Sequence, residues 1–281
     1  MSGAGSSGRN ADNAVIESFG QEWEHFDQRG LSDTERCFVF DQYFAIFPWE
    51  QLRPEAVGFD AGCGTGRWAV LVAPRVGHLH CIDPSTAIDV AARNLAAVPN
   101  CSFHRATVDE MPLADASMDF GYSLGVLHHI PDTGRGLASC VRKLKRGAPF
   151  LVYLYYALDN QPWWFRAVWR VSDLVRSVVS RLPYPLKLAI SQAIAALVYW
   201  PLGRLAGTLD KLGVNVHSFP LGEYRNRSFY TMRTDALDRF GTSLERRFTR
   251  SEISAMMASA GLERIQFSPN IPFWCAVGYK K

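Results

Sequence analysis

Residues 57–66 read Val-Gly-Phe-Asp-Ala-Gly-Cys-Gly-Thr-Gly, and this stretch decides the fold. A short apolar run closes on Asp60, and glycines then alternate at 62, 64 and 66. Glycine accepts positive φ and lets the backbone approach a ligand closely. The pattern predicts a strand over 57–61, a tight turn, and a helix over 65–74. A second apolar run, His80-Cys81-Ile82, closes on Asp83, 17 residues after Gly66. An acid roughly 20 residues beyond a glycine turn suits a ribose diol, because an ionised carboxylate only accepts hydrogen bonds. Taken alone, Asp83 is also a candidate helix cap, since Pro84 and Ser85 open the next helix.

The glycine spacing selects among nucleotide-like cofactors. A dinucleotide fingerprint, G-x-G-x-x-G, read from Gly62 needs its third glycine at position 67, where Arg67 stands. The sequence is instead D-x-G-C-G-x-G with the acid of Asp83 following. It resembles motif I of the class I S-adenosylmethionine (SAM) methyltransferases, and in particular their ubiquinone-biosynthesis-like branch, methyltransferase type 11. Ala106-Thr107-Val108-Asp109-Glu110-Met111-Pro112-Leu113 is similar to that branch's G-D-A-x-x-L-P-F stretch. Ser117-Met118-Asp119-Phe120 is similar to its S-F-D, and Leu127-His128-His129-Ile130 to its L-H-H. The four motifs stand in family order within 57–156.

The resemblance implies SAM as cofactor. Gly62 and Gly64 would line its methionine portion, Asp60 would approach the ammonium, and Asp83 would hold the ribose. Cys63, Gly66, Pro84 and Leu124 complete the expected binding set, with the Val108 amide at the adenine ring. Thr107 departs from the family's acid, so its hydroxyl is the remaining acceptor for the adenine amino group. No metal is implied.

Composition narrows the rest. A chain of 281 residues with 48% apolar content suits one α/β domain with insertions. A net charge of +3 argues against a polycation seeking nucleic acid. Six cysteines form no C-x-x-C pair, which points to a reducing, cytoplasmic setting. Residues 1–10 are Ser/Gly-rich without an apolar core, and are expected to be a disordered tail rather than a signal peptide.

Strand and helix alternate from there. Two helices are expected in 11–53 as an N-terminal cap. The first carries Phe19, Trp23 and Phe26 on one stripe, readable as core packing or as a lid over the cofactor. Strands at 78–83, 101–106, 118–124 and 149–156 alternate with helices at 85–97 and 133–145. Helix 248–260 opens with a Thr249/Glu252 capping box, and strands 263–268 and 272–279 follow. The fold expected is α/β: a Rossmann-like, doubly wound sheet of seven mostly parallel strands. The SAM-binding core spans 54–157 and resumes at 233–281. A helical insertion, 158–232, follows strand five.

The insertion is the expected acceptor lid. Helix 163–180 places Val168, Val171, Val175 and Val179 near one face and Arg166, Arg170, Asp173 and Arg176 on the other. Leu186–Trp200 is a nearly uncharged run of 15 residues, short for a bilayer span of about 20, and suited to burial or to a membrane surface. Residues 161–230 hold nine basic and three acidic side chains, a net +6 against −3 for the remainder. The expected acceptor is a small apolar or amphipathic molecule, with peripheral membrane contact through 161–204 as a further expectation. Candidate bases and orienting groups are His128, His129, Tyr155, Tyr156, His217, Tyr224 and Tyr230, with His129 favoured as base and Tyr156 as orienting group. Nucleic-acid or protein methylation, or a non-catalytic SAM-binding module, are the competing readings. Ser123-Leu124-Gly125-Val126 stands where amino-directed DNA enzymes carry an N/D-P-P-Y type motif, which counts against the first. Oligomeric state has no signature in the sequence.

Overall fold

The computed structural model describes residues 10–216 and 218–281. The candidate base His217 and the expected tail up to residue 9 lie outside the described residues. Asn10, placed in that tail by the sequence, is instead buried. Its side chain donates to the Asp132 carbonyl at 2.9 Å and accepts from the Asp132 amide at 2.8 Å.

The strands are β1 (Val57–Ala61), β2 (His78–Ile82), β3 (Cys101–His104), β4 (Phe120–Leu124), β5 (Pro149–Tyr153), β6 (Leu262–Phe267) and β7 (Cys275–Lys280). They form one sheet in the order β3-β2-β1-β4-β5-β7-β6. Neighbours among β1–β5 run parallel, and β7 is antiparallel to β5 and β6. Strand order reverses between β1 and β4. In a doubly wound sheet, ligands bind at the carboxyl ends of the strands flanking such a reversal. Both β1 and β4 run out there into the motifs read from the sequence.

That central pair is held by a reciprocal fit. Gly58 pairs with Phe120, and Phe59 with Gly121. A Cβ on Gly58 would fall 2.3 Å from the Phe120 ring, and one on Gly121 2.4 Å from the Phe59 ring. Each ring therefore occupies the space its cross-strand glycine leaves. Phe120 belongs to the apolar layer that includes Phe40, Phe44 and Tyr122, and Phe59 to the opposite layer with Leu137 and Phe150.

The helices are α1 (Asn13–His25), α2 (Asp33–Tyr43), α3 (Ala69–Val72), α4 (Ala87–Asn94), α5 (Thr133–Lys143), α6 (Trp163–Val179), α7 (Tyr184–Ile194), α8 (Trp200–Lys211), α9 (Phe229–Gly241) and α10 (Arg250–Ser259). α3 is shorter than the helix expected over 65–74. Gly66 has φ +75° and Pro74 sits in a 3₁₀ turn, so only a short helical piece fits between them. α10 carries the expected capping box.

The insertion departs most from expectation. α7 and α8 join through a π-turn, Ala195–Tyr199, into one helix of 28 residues, Tyr184–Lys211. By length and composition it could cross a membrane, whereas the 15-residue run alone is too short. α9 has no counterpart in the sequence reading, and it carries the helical unit past residue 232. Its Met232, Ala236 and Phe240 pack against Val179, Ala195 and Tyr199 in a third apolar cluster. On α6 the expected polar face is partly turned inward. Arg176 pairs with Asp173 at 2.7 Å and donates to the Thr242 carbonyl at 3.1 Å.

The Gly–Phe fit sets a stability prediction. Gly121→Ala forces the Phe59 ring aside and is expected to cost about 1–3 kcal/mol in urea unfolding. Gly134→Ala, in α5 where a Cβ would meet only Asp132 Oδ1 at an unstrained 3.5 Å, is expected to stabilise by about 0.5–1 kcal/mol. Equal effects from the two would contradict the assignment.

Candidate active site

A cavity of about 950 Å³ opens at the carboxyl edge of β1, β2 and β4. Its floor is the glycine turn. Gly62 and Gly64 hold φ of +84° and +52°. The Gly62 and Cys63 amides both donate to the Ile82 carbonyl, at 2.8 and 3.0 Å, which ties the turn to the end of β2. A Cβ on Gly62 would fall 2.4 Å from Val126, so only glycine fits. Gly62, Cys63, Gly64 and Thr65 line the cavity, as do Pro84, Thr107, Val108 and Leu124. Gly66, expected among the cofactor residues, does not. A Cβ there would lie 2.6 Å from Leu95, so its role is to seat the turn on α4.

Asp83 is buried and lines the cavity. One oxygen accepts from the Gly64 amide at 3.0 Å. The other accepts from the Ser85 amide at 2.9 Å and the Ser85 hydroxyl at 2.6 Å. It does not cap α4, which starts at Ala87 with Thr86 before it. Burial raises its pKa, and the Ser85 and Gly64 hydrogen bonds oppose that rise. A carboxylate has about four lone-pair directions, so capacity for a ribose hydroxyl remains.

Asp60 differs. It is buried at the end of β1, lies outside the cavity lining, and one carboxylate oxygen has no hydrogen-bond partner. Burial pushes its pKa up to about 8, against the lowering effect of the Tyr122 hydroxyl. An orphaned buried carboxylate behind the turn suits a nearby cation, although its side chain is not itself on the cavity wall. Thr107 also lines the cavity, and its hydroxyl donates to Glu110 at 3.0 Å, which leaves its lone pairs available as acceptors.

The aromatic stripe of α1 divides between its two readings. Phe19 and Trp23 line the cavity, and the Trp23 indole nitrogen lies 3.5 Å from where a Gly64 Cβ would stand. Phe26 is core, packed edge-on against Tyr230 at 5.6 Å. α1 is fixed over the cofactor end at several points. The Phe19 ring lies 5.0 Å from the His129 ring, Gly20 meets Thr86, and the Tyr184 hydroxyl of α7 donates to the Gln21 carbonyl at 3.0 Å.

The two histidines after β4 have opposite fates. His128 is fully buried outside the cavity, stacked 3.8 Å from Tyr155, with neither ring nitrogen partnered. Burial holds its pKa well below the usual value, so it is a neutral packing ring and not a catalytic group. His129 lines the cavity. Its Nδ1 lies 2.7 Å from the Leu244 carbonyl, which can only accept, so Nδ1 carries the hydrogen. In the neutral ring Nε2 then keeps its lone pair, and it stands 3.8 Å from Asp238 Oδ1. Neither of these atoms has another hydrogen-bond partner. The Tyr155 hydroxyl donates to the other Asp238 oxygen at 2.5 Å. Tyr155, rather than the expected Tyr156, thus belongs to the His129 group. Tyr156 lines the cavity among Phe273 and Trp274, with burial raising its pKa to about 12. Tyr224 also lines it, and donates to Asp235 at 3.0 Å. Tyr230 accepts from the Gln28 amide away from the cavity.

Asp235 and Asp238 line the cavity without having been singled out from the sequence. Both lie on α9, with Thr231 at i, i+4 and i+7, opposite the apolar Met232, Ala236 and Phe240. That spacing was the available signal. Burial raises the pKa of Asp235 to about 6, and the Arg67 guanidinium opposes the shift. Arg239 and Arg247 each donate to Glu245 at 2.8 Å and flank the Trp169 ring of α6. One wall of the cavity is therefore ionic. The facing wall is apolar: Phe165, Val168, Val171 and Val175 of α6, with Ile194, Val198 and Leu202.

Residues 59–152 match the methyltransferase domain family. A Mycolicibacterium smegmatis protein named as a probable S-adenosylmethionine-dependent methyltransferase is 32% identical over 42% of this chain and 46% of its own length. The ubiquinone biosynthesis O-methyltransferase of Hahella chejuensis is 34% identical over 32% of this chain and 39% of its own. The chain thus spans less than half the length of these relatives. Among solved structures, a chain from the Haloferax volcanii complex of the Trm112 methyltransferase activator with a methyltransferase superposes with TM-score 0.51. It is 14% identical, over 92% of this chain and 97% of that one, a likeness of fold.

Asp60 gives the site a pH signature. Its folded pKa near 8 exceeds the ordinary 3.8, so between these values the folded state holds a proton the unfolded chain has lost. Stability therefore falls as pH rises from about 4 to 8. Asp60→Asn is expected to remove a slope of up to about 1.4 kcal/mol per pH unit in ligand-free unfolding, leaving the same-signed slopes of the other buried acids, Asp83 and Asp235 among them. An unchanged slope would show that Asp60 is ionised throughout.

Proposed function

We propose, from the premise that residues 59–152 are a class I SAM-dependent methyltransferase domain, that the whole chain methylates a small amphipathic acceptor. The observation that carries this reading is one cavity with the glycine turn and Asp83 at one end, His129 and Asp238 on its ionic wall, and valines on the other. The residues fit the cofactor: a turn that only glycine can form, a buried carboxylate with spare lone pairs, and an orphaned carboxylate at Asp60. Asp83 would hold the ribose, Thr107 and Val108 the adenine, and the turn from Gly62 to Gly64 the methionine portion. When bound, SAM supplies a methyl on a sulfonium with a neutral leaving group, so the protein's work is alignment and exclusion of water.

The chain's own residues divide that work. Phe19 and Trp23 cover the cofactor end. The α6 valines and Phe165 hold the apolar body of the acceptor. His129 Nε2 is buried beside Asp238 in the ligand-free site, and an acceptor hydroxyl, amine or thiol that reaches it can pass its proton there. Asp238 then faces the imidazolium at ion-pair distance, and Tyr155 fixes Asp238 in place. This is general-base assistance with a carboxylate beside the reacting nitrogen and the Leu244 carbonyl behind the ring at Nδ1.

Calorimetry with SAM against NAD tests the premise. Heat with SAM alone is expected, and Asp83→Ala should weaken it by about ten- to hundredfold, the worth of lost charged hydrogen bonds. Heat with NAD and none with SAM would overturn the reading. His129→Asn should keep SAM binding while lowering methyl transfer about 10²–10⁴-fold, followed with methyl-labelled SAM and a metabolite extract. Undiminished transfer would remove His129 as the base.

A further inference from the structure

The outer side of the insertion is apolar where the protein itself does not cover it. On α6, Trp163 is 74% exposed, Leu174 69% and Val178 59%, and none of them lines the cavity. On the Tyr184–Lys211 helix, Leu197 is 76% exposed and Trp200 48%. Only 22% of that helix's most apolar window is buried. Monomeric surfaces seldom leave so contiguous an apolar area in water.

Three observations say what covers it. The first is charge. Arg166 and Arg170 are exposed along one edge of the α6 apolar face, and Arg181 and Lys211 are exposed at helix ends. None of the four forms an ion pair among the described residues. The two acids of α6–α8 are already engaged, Asp173 with Arg176 and Asp210 with Arg225. The surface offered outward is apolar, tryptophan-bearing and cationic, the composition of helices that lie in an anionic lipid interface. The second is orientation. Ser191, Ala195, Tyr199, Gly203 and Ala206 form one buried stripe of the long helix, docked on α9 and the 222–226 turn. A helix held along one side by a water-soluble body lies on a bilayer and does not cross it. The third is continuity with the site. Val168, Val171 and Val175 of α6 and Val198 of the long helix line the cavity, yet remain 42–66% exposed. The cavity is open along the seam between these helices, on the same side as the apolar face.

We propose that α6 and the Tyr184–Lys211 helix dock on an anionic lipid surface, with the open seam of the cavity against the lipid. Resting on the methyltransferase reading, this identifies the acceptor class as a membrane-resident amphiphile that reaches His129 without crossing water.

Flotation of the full chain with vesicles tests the docking independently of SAM. Binding is expected to phosphatidylcholine vesicles carrying 30% phosphatidylglycerol and not to phosphatidylcholine alone, and 0.5 M salt should release it. Leu174→Glu with Leu197→Glu should abolish binding, and Arg166→Gln with Arg170→Gln should weaken it about thirtyfold. All four positions lie outside the cavity lining, and calorimetry with SAM on the same variants separates docking from folding and from cofactor binding. Three outcomes overturn the proposal: no flotation with anionic vesicles, flotation that the Leu→Glu pair leaves intact, or a concentration-dependent dimer broken by that pair without lipid binding. The last would assign the face to a second copy of the chain. SAM binding without flotation removes the docking and keeps the methyltransferase reading; flotation without SAM binding does the reverse.

Discussion

The Asp83 carboxylate is the joint on which the site depends. It accepts from Gly64 on the turn after β1 and from Ser85 on the approach to α4, while the Ile82 carbonyl just before it takes the Gly62 and Cys63 amides. Two adjacent residues of one strand end thus fix the turn of the next. The left-handed backbone at Gly62 and Gly64 is strained for any side chain, and it persists because these bonds leave it no alternative. The sheet beneath is equally determined. Phe59 and Phe120 each fill the place of the other strand's glycine, so β1 and β4 cannot slip without burying a ring in backbone.

This part of the molecule was legible in the sequence because its constraints are local. Strand-ending acids, alternating glycines and apolar runs are short-range patterns, and they located β1, the turn and Asp83. Arg67 ruled out a dinucleotide and then proved to line the cavity facing Asp235. The paired fit of Gly58 and Gly121 was not readable, since it exists only once β1 and β4 are neighbours.

The acceptor half was less legible for a physical reason. Its chemistry depends on residues far apart in sequence meeting through a helical unit. His129 gains meaning only when Leu244 fixes its tautomer and Asp238 faces its free nitrogen. α9, which delivers Asp238, has a helical period in Thr231, Asp235 and Asp238, but the period does not say which face meets the cavity. Its apolar residues answer to Val179, Ala195 and Tyr199 rather than to the sheet. His128 and His129 look alike in the sequence, and only burial separates the packing ring from the one that lines the cavity. Arg176 reads as a surface charge, but the Thr242 carbonyl and Asp173 satisfy its fork inside the fold.

The hydrogen bond from Tyr184 to the Gln21 carbonyl joins α1, the cover of the cofactor end, to the first turn of the long helix. The cover is therefore no free flap. It is pinned to a 28-residue helix that is itself braced on α9 in its first half and on the 222–226 turn in its second, so cover and insertion form one connected piece.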